Sequence, residues 1–410
     1  MLACAFVLGG CTALRERTRW QPVLYGIIFQ IVLIFVLMKF PICISGVEYI
    51  AGGIMKLKDA TLEGTKFVFG YIGGDVLPFD VADGRSPFVF AFQALPTVII
   101  TGALAAILTY LKIFPIIAKA IGYAFKKVFR VNETVGIITA AKIFVGQIEA
   151  PLLVKHRLPS LRENDMFIIL ALAFATTSAA TMPIYAGALD GICQDAMKHI
   201  LMSSVVSVIS VHIICPLMMH GNGTDDIKTA VDHEPELPYS SFMGAMSKGI
   251  SDGAFVWWCI VGSLVGTVAL IALINYLLGL FPDVGGESIT LQKIFGVCMY
   301  PFAWLLDVAP KDVMSVSQVL GTKTAVNELV AFFDLAKANL DSGSATKAIY
   351  ALNNYGNFAC IGITIGGISA LVPSQKCIAS LAWKAFWAGL LATGLTAMIM
   401  SVFLDCLELV

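Results

Sequence analysis

Gly146-Gln147-Ile148-Glu149-Ala150-Pro151 and Thr324-Ala325-Val326-Asn327-Glu328-Leu329 decide how this chain is read. Each segment lies inside a strongly apolar stretch and sets a carboxamide close to a carboxylate. A carboxylate at membrane depth costs roughly 2.5–3.5 kcal/mol or more, so it marks a substrate or ion path. Two such segments in corresponding places point to a duplicated, two-sided binding site.

The surroundings are those of a membrane chain. Of 410 residues, 58% are hydrophobic and 13% charged, and the mean hydropathy is +0.83. Soluble domains are about 45–50% apolar and about 25% charged. A net charge of −1 leaves no nucleic-acid footprint, so no nucleic-acid partner is expected. The 10 cysteines contain no CxxC pair and the 5 histidines lack ligand spacing. No metal site is firmly predicted and no cofactor is expected. HExxH is absent from the sequence, which argues against an enzyme.

Apolar runs of spanning length fall at 20–40, 87–111, 165–189, 198–219, 254–281, 346–372 and 377–405. Residues 1–14 are apolar but short. They read as a first transmembrane helix whose beginning is missing or shortened, because a signal peptide or lipoprotein box would need a basic segment before it. The expected fold is therefore an all-α polytopic membrane protein with about eight transmembrane helices. Residues 43–57 and 113–129 are apolar with periodic lysines and read as interfacial helices. The polar stretch 220–240 is a loop between two halves.

Arg15, Arg17 and Arg19, the cluster from Lys112 to Arg130, and Lys155, Arg157 and Arg162 belong in the cytoplasm by the positive-inside rule. Residues 131–163 must then return to the side they left. Each arm has about 14 residues, or ~20 Å of helix, too short for a ~30 Å core. This segment is a re-entrant hairpin with Gly146 to Pro151 at its tip. Residues 311–341 form a second hairpin entering from outside, its tip near Gly321 to Asn327. Hairpin plus two helices thus occurs twice in opposite orientation, over 131–219 and 311–405, the inverted repeat of secondary transporters. Thr176-Thr177-Ser178 followed by Pro183, and Gly356-Asn357 followed by Gly362, Gly366 and Gly367, predict that the fourth and seventh helices unwind partway. Four regions are expected: 1–130, scaffold and interfacial helices; 131–219, the first hairpin repeat; 220–310, polar loop, sixth helix and connecting helix; and 311–410, the second hairpin repeat with the last helix.

At these residues the chain resembles the concentrative nucleoside transporter family. The likeness is carried by Gly146-Gln147-Ile148-Glu149, Asn327-Glu328-Leu329-Val330-Ala331 and Gly356-Asn357-Phe358-Ala359-Cys360-Ile361-Gly362-Ile363. Phe67-Val68-Phe69-Gly70 and Tyr300-Pro301-Phe302-Ala303-Trp304 flank them in the same order, so the match runs from about residue 15 to 405. The resemblance implies a homotrimer of eight-helix subunits in a bacterial inner (plasma) membrane lipid bilayer, importing nucleosides down a cation gradient by an elevator-type movement. It also implies that Gln147 and Glu149 hold the base, and that Glu328 and Asn357 hold ribose hydroxyls. Asn327, Cys360 and Thr181 are placed with them as substrate contacts. The residue chemistry agrees with a neutral, hydroxyl-rich ligand, since a carboxylate accepts hydroxyl protons and an amide both donates and accepts.

Three positions depart from the family pattern. Ile148 stands where a small polar residue is usual, which leaves purine against pyrimidine open. Cys360 replaces a usual Ser and weakens a ribose contact. Lys142 falls where sodium-coupled relatives carry an ion-ligating Asn, and its charge opposes sodium. Three readings of Lys142 stand: a permanent substitute for the ion, a carrier of the coupling proton, or a side chain snorkelling to the cytoplasmic interface. Val145, Thr176 and Thr177 complete the coupling-ion region, in which the Val145 carbonyl and Thr176 hydroxyl form at best a weak oxygen site. The co-transported cation is thus a proton or sodium, with the proton favoured. Lys323, near the second tip, either pairs with Glu328 or faces water. The other functions compatible with the sequence are import of a nucleobase or modified nucleoside on the same architecture, and an ion channel or gate-type subunit.

Overall fold

Proline, glycine and asparagine punctuate the apolar runs, and the breaks they impose organise the molecule. The computed structural model describes residues 20–81, 87–129, 131–143, 145–152, 154–179, 181–193, 195–218, 239–282, 288–372 and 377–408. The expected first helix and all but the end of the polar loop between the halves lie outside the described residues. Every regular element among the described residues is helical.

The chain begins with α1 (Trp20–Lys39) and α2 (Pro41–Phe69). Pro41 opens α2 without needing a backbone donor, and the two axes differ by 85°. At 29 residues, α2 is longer than the expected interfacial helix over 43–57. Then come α3 (Phe90–Tyr110) and the amphipathic α4 (Ile113–Phe129). The first hairpin is α5 (Glu133–Ala141) and α6 (Glu149–Leu152). It is followed by α7 (Glu163–Ala175), α8 (Met182–Ala188) and α9 (Ala196–Met218).

The second half repeats this order with α10 (Phe242–Leu278) and α11 (Leu291–Leu305). Its hairpin is α12 (Val313–Ala325) and α13 (Glu328–Lys337), followed by α14 (Ser342–Leu352), α15 (Phe358–Leu371) and α16 (Ile378–Glu408). The repeat therefore reaches further back than hairpin plus two helices, to α3 and α10.

Among the described residues, four helices, α3, α9, α10 and α16, are each long and apolar enough to cross a membrane, and the bent α1–α2 pair is a fifth candidate. The expected fourth and seventh spans are instead pairs of half-helices, of 13 and 7 residues and of 11 and 14 residues. The hairpin arms are short as well: α5 has 9 residues, and α12 and α13 have 13 and 10. At 1.5 Å per residue none of these arms reaches across a ~30 Å core.

Boundaries move for identifiable reasons. The sixth helix starts at Phe242 rather than 254, because Ser241 caps it through Gly244 N at 3.0 Å and Lys248 pairs with Asp252 at 2.6 Å. The first tip lies at 142–148, so Glu149 to Pro151 belong to the second arm. The second tip is Val326–Asn327 and Gly321 sits inside α12, because Asn327 caps α13 by accepting from Val330 N at 2.9 Å.

Each hairpin leans on its amphipathic partner through glycine. A methyl group added at Gly136 in α5 would lie 2.6 Å from the Gly122 carbonyl oxygen in α4, and one added at Gly321 in α12 would lie 2.7 Å from Gly296 Cα in α11. Both contacts are backbone against backbone, the small-residue packing expected of membrane helices. The hairpin bases are closed by Glu133–Arg157 at 3.6 Å and Lys311–Asp341 at 2.9 Å. Two apolar cores follow the repeat. One gathers α5, α7, the later half of α9 and α16, and the other gathers α8, α12, α13, α14 and the earlier half of α9.

Candidate functional site

The two breaks meet in the buried interior. After Ala175 the backbone of Thr176 turns extended, and Pro183 restarts the helix as α8. After Leu352 the run Asn353-Asn354-Tyr355-Gly356 leaves the helix, and Asn357 caps α15 by accepting from Cys360 N at 2.9 Å. Broken helices leave unpaired polar groups, and buried ones must find partners. They find them across the repeat. Thr177 Oγ1 donates to Asn353 Oδ1 at 2.6 Å, and Asn353 Nδ2 donates to the Ile200 carbonyl at 2.8 Å and to Ser204 Oγ at 3.0 Å. Ser178 N donates to Tyr355 Oη at 3.1 Å, and Thr181 Oγ1 lies 3.3 Å from the same hydroxyl.

Glu328, the first residue of α13, is buried beside this junction. Its Oε1 accepts from Tyr185 Oη at 2.9 Å and its Oε2 from Asn357 Nδ2 at 2.8 Å. Tyr185 is fixed by stacking on Phe332, with ring centroids 4.7 Å apart and planes 11° from parallel. A carboxylate has about four acceptor directions, so these two donors do not exhaust it.

The residues expected from sequence divide as follows. Glu328 and Asn357 are in direct contact. Asn327 spends its carbonyl oxygen on the α13 cap. Gln147 Oε1 accepts from Thr364 Oγ1 of α15 at 3.3 Å. Ile148 lies on the same helix, where a methyl group added at Gly367 would collide with its Cδ1. Glu149 opens α6, and its side chain lies outside the described residues. Cys360 is buried in the first turn of α15, and Thr181 donates to the Ser178 carbonyl at 3.0 Å. Tyr185, Asn353, Tyr355 and Thr364 were not expected from sequence. The Asn353-Asn354 pair inside an apolar run is the signal that marks the second break; the two tyrosines carry none.

Lys142 does not snorkel. It is 1% exposed, and its ammonium donates to the Thr176 carbonyl at 3.2 Å and lies 5.3 Å from the Tyr355 ring centroid. Thr176 Oγ1 in turn donates to the Lys142 carbonyl at 3.4 Å. The charge therefore sits where helix α7 ends, against the negative pole of its dipole. Val145 is half-buried on the same tip. Among the described residues, no three His, Cys, Asp or Glu side chains gather to hold a metal. Lys323 likewise does neither of the things expected of it. It is 1% exposed, forms no ion pair with Glu328, and its ammonium has no hydrogen-bond partner among the described residues.

Two hairpins meeting two broken helices around buried polar groups define a multi-pass secondary transporter. Residues 197–401 match the family described as Na+ dependent nucleoside transporter C-terminus, residues 1–72 the corresponding N-terminus, and residues 91–191 a family described as nucleoside recognition. The chain belongs to the concentrative nucleoside transporter family; it is a transporter and not an enzyme. It is 32% identical to an uncharacterized transporter of Haemophilus influenzae, over 83% of this chain and 81% of that protein. It is 27% identical to the nucleoside permease NupC of Helicobacter pylori, over 98% and 96% respectively. The structure of CNTnw in an inward-facing substrate-bound state superposes with a TM-score of 0.86 at 25% identity, covering 98% of this chain and 95% of that one. An outward-facing variant of CNTnw superposes at 0.84 and 24% identity over 98% and 96%, a likeness of fold. With its apolar helices, the chain is a multi-pass inner-membrane protein that transports nucleosides.

Proposed function

We propose that this is a proton-coupled nucleoside importer, assembled as a homotrimer, with an elevator-type cycle. The carrying observation is Glu328: buried, oriented by Tyr185 and Asn357, and a carboxylate able to accept from ligand hydroxyls. In this reading Glu328 and Asn357 hold the ribose, with Cys360, Thr181 and Asn327 around them, and Gln147 and Glu149 hold the base. A ligand lacking the hydroxyls leaves the carboxylate underpaired and is rejected. The hairpin repeats 131–219 and 311–410 form the moving body, and 1–130 and 220–310 the scaffold. Likeness to a protein solved facing both sides of the membrane supports alternating access.

Lys142 supports the choice of cation. Its ammonium donates to the Thr176 carbonyl, beside the Thr176 hydroxyl of the expected ion site, which itself donates to the Lys142 carbonyl; like charges this close exclude sodium. Val145 and Thr177 remain part of the region, but Thr177 is spent on Asn353. The proton is then the coupling cation. A second reading, import of a nucleobase or modified nucleoside, is favoured by Ile148, which packs on Gly367 and offers a base no hydrogen bond.

The test is co-movement of protons. Uridine added to proteoliposomes containing a pH-sensitive dye, without sodium, is expected to acidify the lumen. Uridine uptake that needs sodium and moves no protons refutes the coupling.

A further inference from the structure

Both hairpins end their first arm in a buried lysine directed at the break of the helix that follows. Lys142 reaches the Thr176 carbonyl. Lys323, in the last turn of α12, reaches the break between α14 and α15: a methyl group added at Gly356 would lie 3.2 Å from its Nζ. The two differ in one respect. Lys142 is hydrogen-bonded, whereas the Lys323 ammonium is buried without a partner among the described residues.

An ammonium stripped of water without hydrogen bonds is costly and persists only where its charge is compensated. Glu328 is the carboxylate at hand: Lys323 lies against Gly356, and the next residue, Asn357, donates to Glu328 Oε2 at 2.8 Å. Yet the Lys323 ammonium and the Glu328 carboxylate form neither a salt bridge nor a hydrogen bond. A direct bond would consume acceptor directions that Tyr185 and Asn357 leave open. Charge compensation acts through space and does not use them.

We propose that Lys323 is a positioning residue of the substrate site: a counter-charge held out of contact with Glu328, which keeps that side chain an open carboxylate for the ligand hydroxyls. This rests on the ribose reading given above. Gly356 suits the arrangement, since a side chain there would strike Asn354 Oδ1 at 2.6 Å and crowd Lys323 Nζ at 3.2 Å.

The test compares uridine with 2′,3′-dideoxyuridine, which lacks the hydroxyls, by calorimetric binding to the purified full-length protein. The wild type is expected to prefer uridine by about 30-fold or more, from two charge-assisted hydrogen bonds. Lys323→Met is expected to shrink that preference to about 3-fold or less by weakening uridine alone, while Lys323→Arg keeps most of it. If Lys323→Met fails to fold, Lys323→Gln carries the same comparison. Equal loss for both ligands, or no loss, overturns the proposal. A wild type that fails to discriminate between the ligands instead refutes the ribose reading itself.

Discussion

Replacing Glu328 by glutamine removes one charge and one acceptor while keeping the shape. The new amide cannot be accommodated symmetrically. Asn357 Nδ2 donates to Oε2, and Asn357 cannot flip because its oxygen caps α15. The substituted side chain must therefore keep its oxygen toward Asn357 and turn its NH2 toward Tyr185, whose hydroxyl can rotate to accept. One ligand hydroxyl keeps a neutral acceptor, and the other loses its partner inside a dry site. Hydrogen bonds to charged groups contribute about 1.5–3 kcal/mol, neutral ones about 0.5–1.5, and an unsatisfied buried group costs about 1–3. The difference is roughly 2–5 kcal/mol, or an affinity loss of about 30- to 4000-fold. Uridine binding by calorimetry measures it, with uptake into proteoliposomes expected to be abolished and trimer assembly, by size-exclusion light scattering, unchanged. Binding within threefold of wild type (about 0.6 kcal/mol) would remove Glu328 from ribose recognition.

Three further outcomes are expected. Lys142→Asn removes the ammonium from the Thr176 carbonyl and should confer sodium dependence on uptake; unchanged ion dependence would detach Lys142 from coupling. Asn353→Leu breaks three buried hydrogen bonds that join the two breaks and α9, and should cost about 2–5 kcal/mol, seen as a lowered thermal midpoint in detergent. Ile148→Thr should change the ranking of uridine against adenosine in competition assays; an unchanged ranking assigns Ile148 to packing on Gly367 alone.

The hairpins were legible because two carboxylates in apolar runs and the flanking lysines and arginines act locally: each marks membrane depth or side without knowledge of its neighbours. Glu328 was singled out for the same reason, whereas Asn357 came from the family resemblance. What stayed hidden is pairing across the repeat. Tyr185 and Glu328 are 143 residues apart, Thr177 and Asn353 176, and no spacing rule connects them. Helix ends shifted where capping overrode hydropathy, as at Ser241 and Asn327. The lysines show the other limit. A long flexible side chain near a tip can turn to water, to a carboxylate or to a broken helix, and only packing selects among them. Lys142 and Lys323 both turned inward to the breaks.

Whether these buried polar breaks carry a nucleoside driven by protons is tested most directly by accumulation. Radiolabelled uridine and adenosine would be offered to proteoliposomes under an imposed proton gradient, and separately under a sodium gradient. Accumulation above equilibrium is expected with protons alone, and its loss in Glu328→Gln. Accumulation of neither nucleoside under either gradient, by protein shown to be folded, would contradict proton-driven nucleoside import.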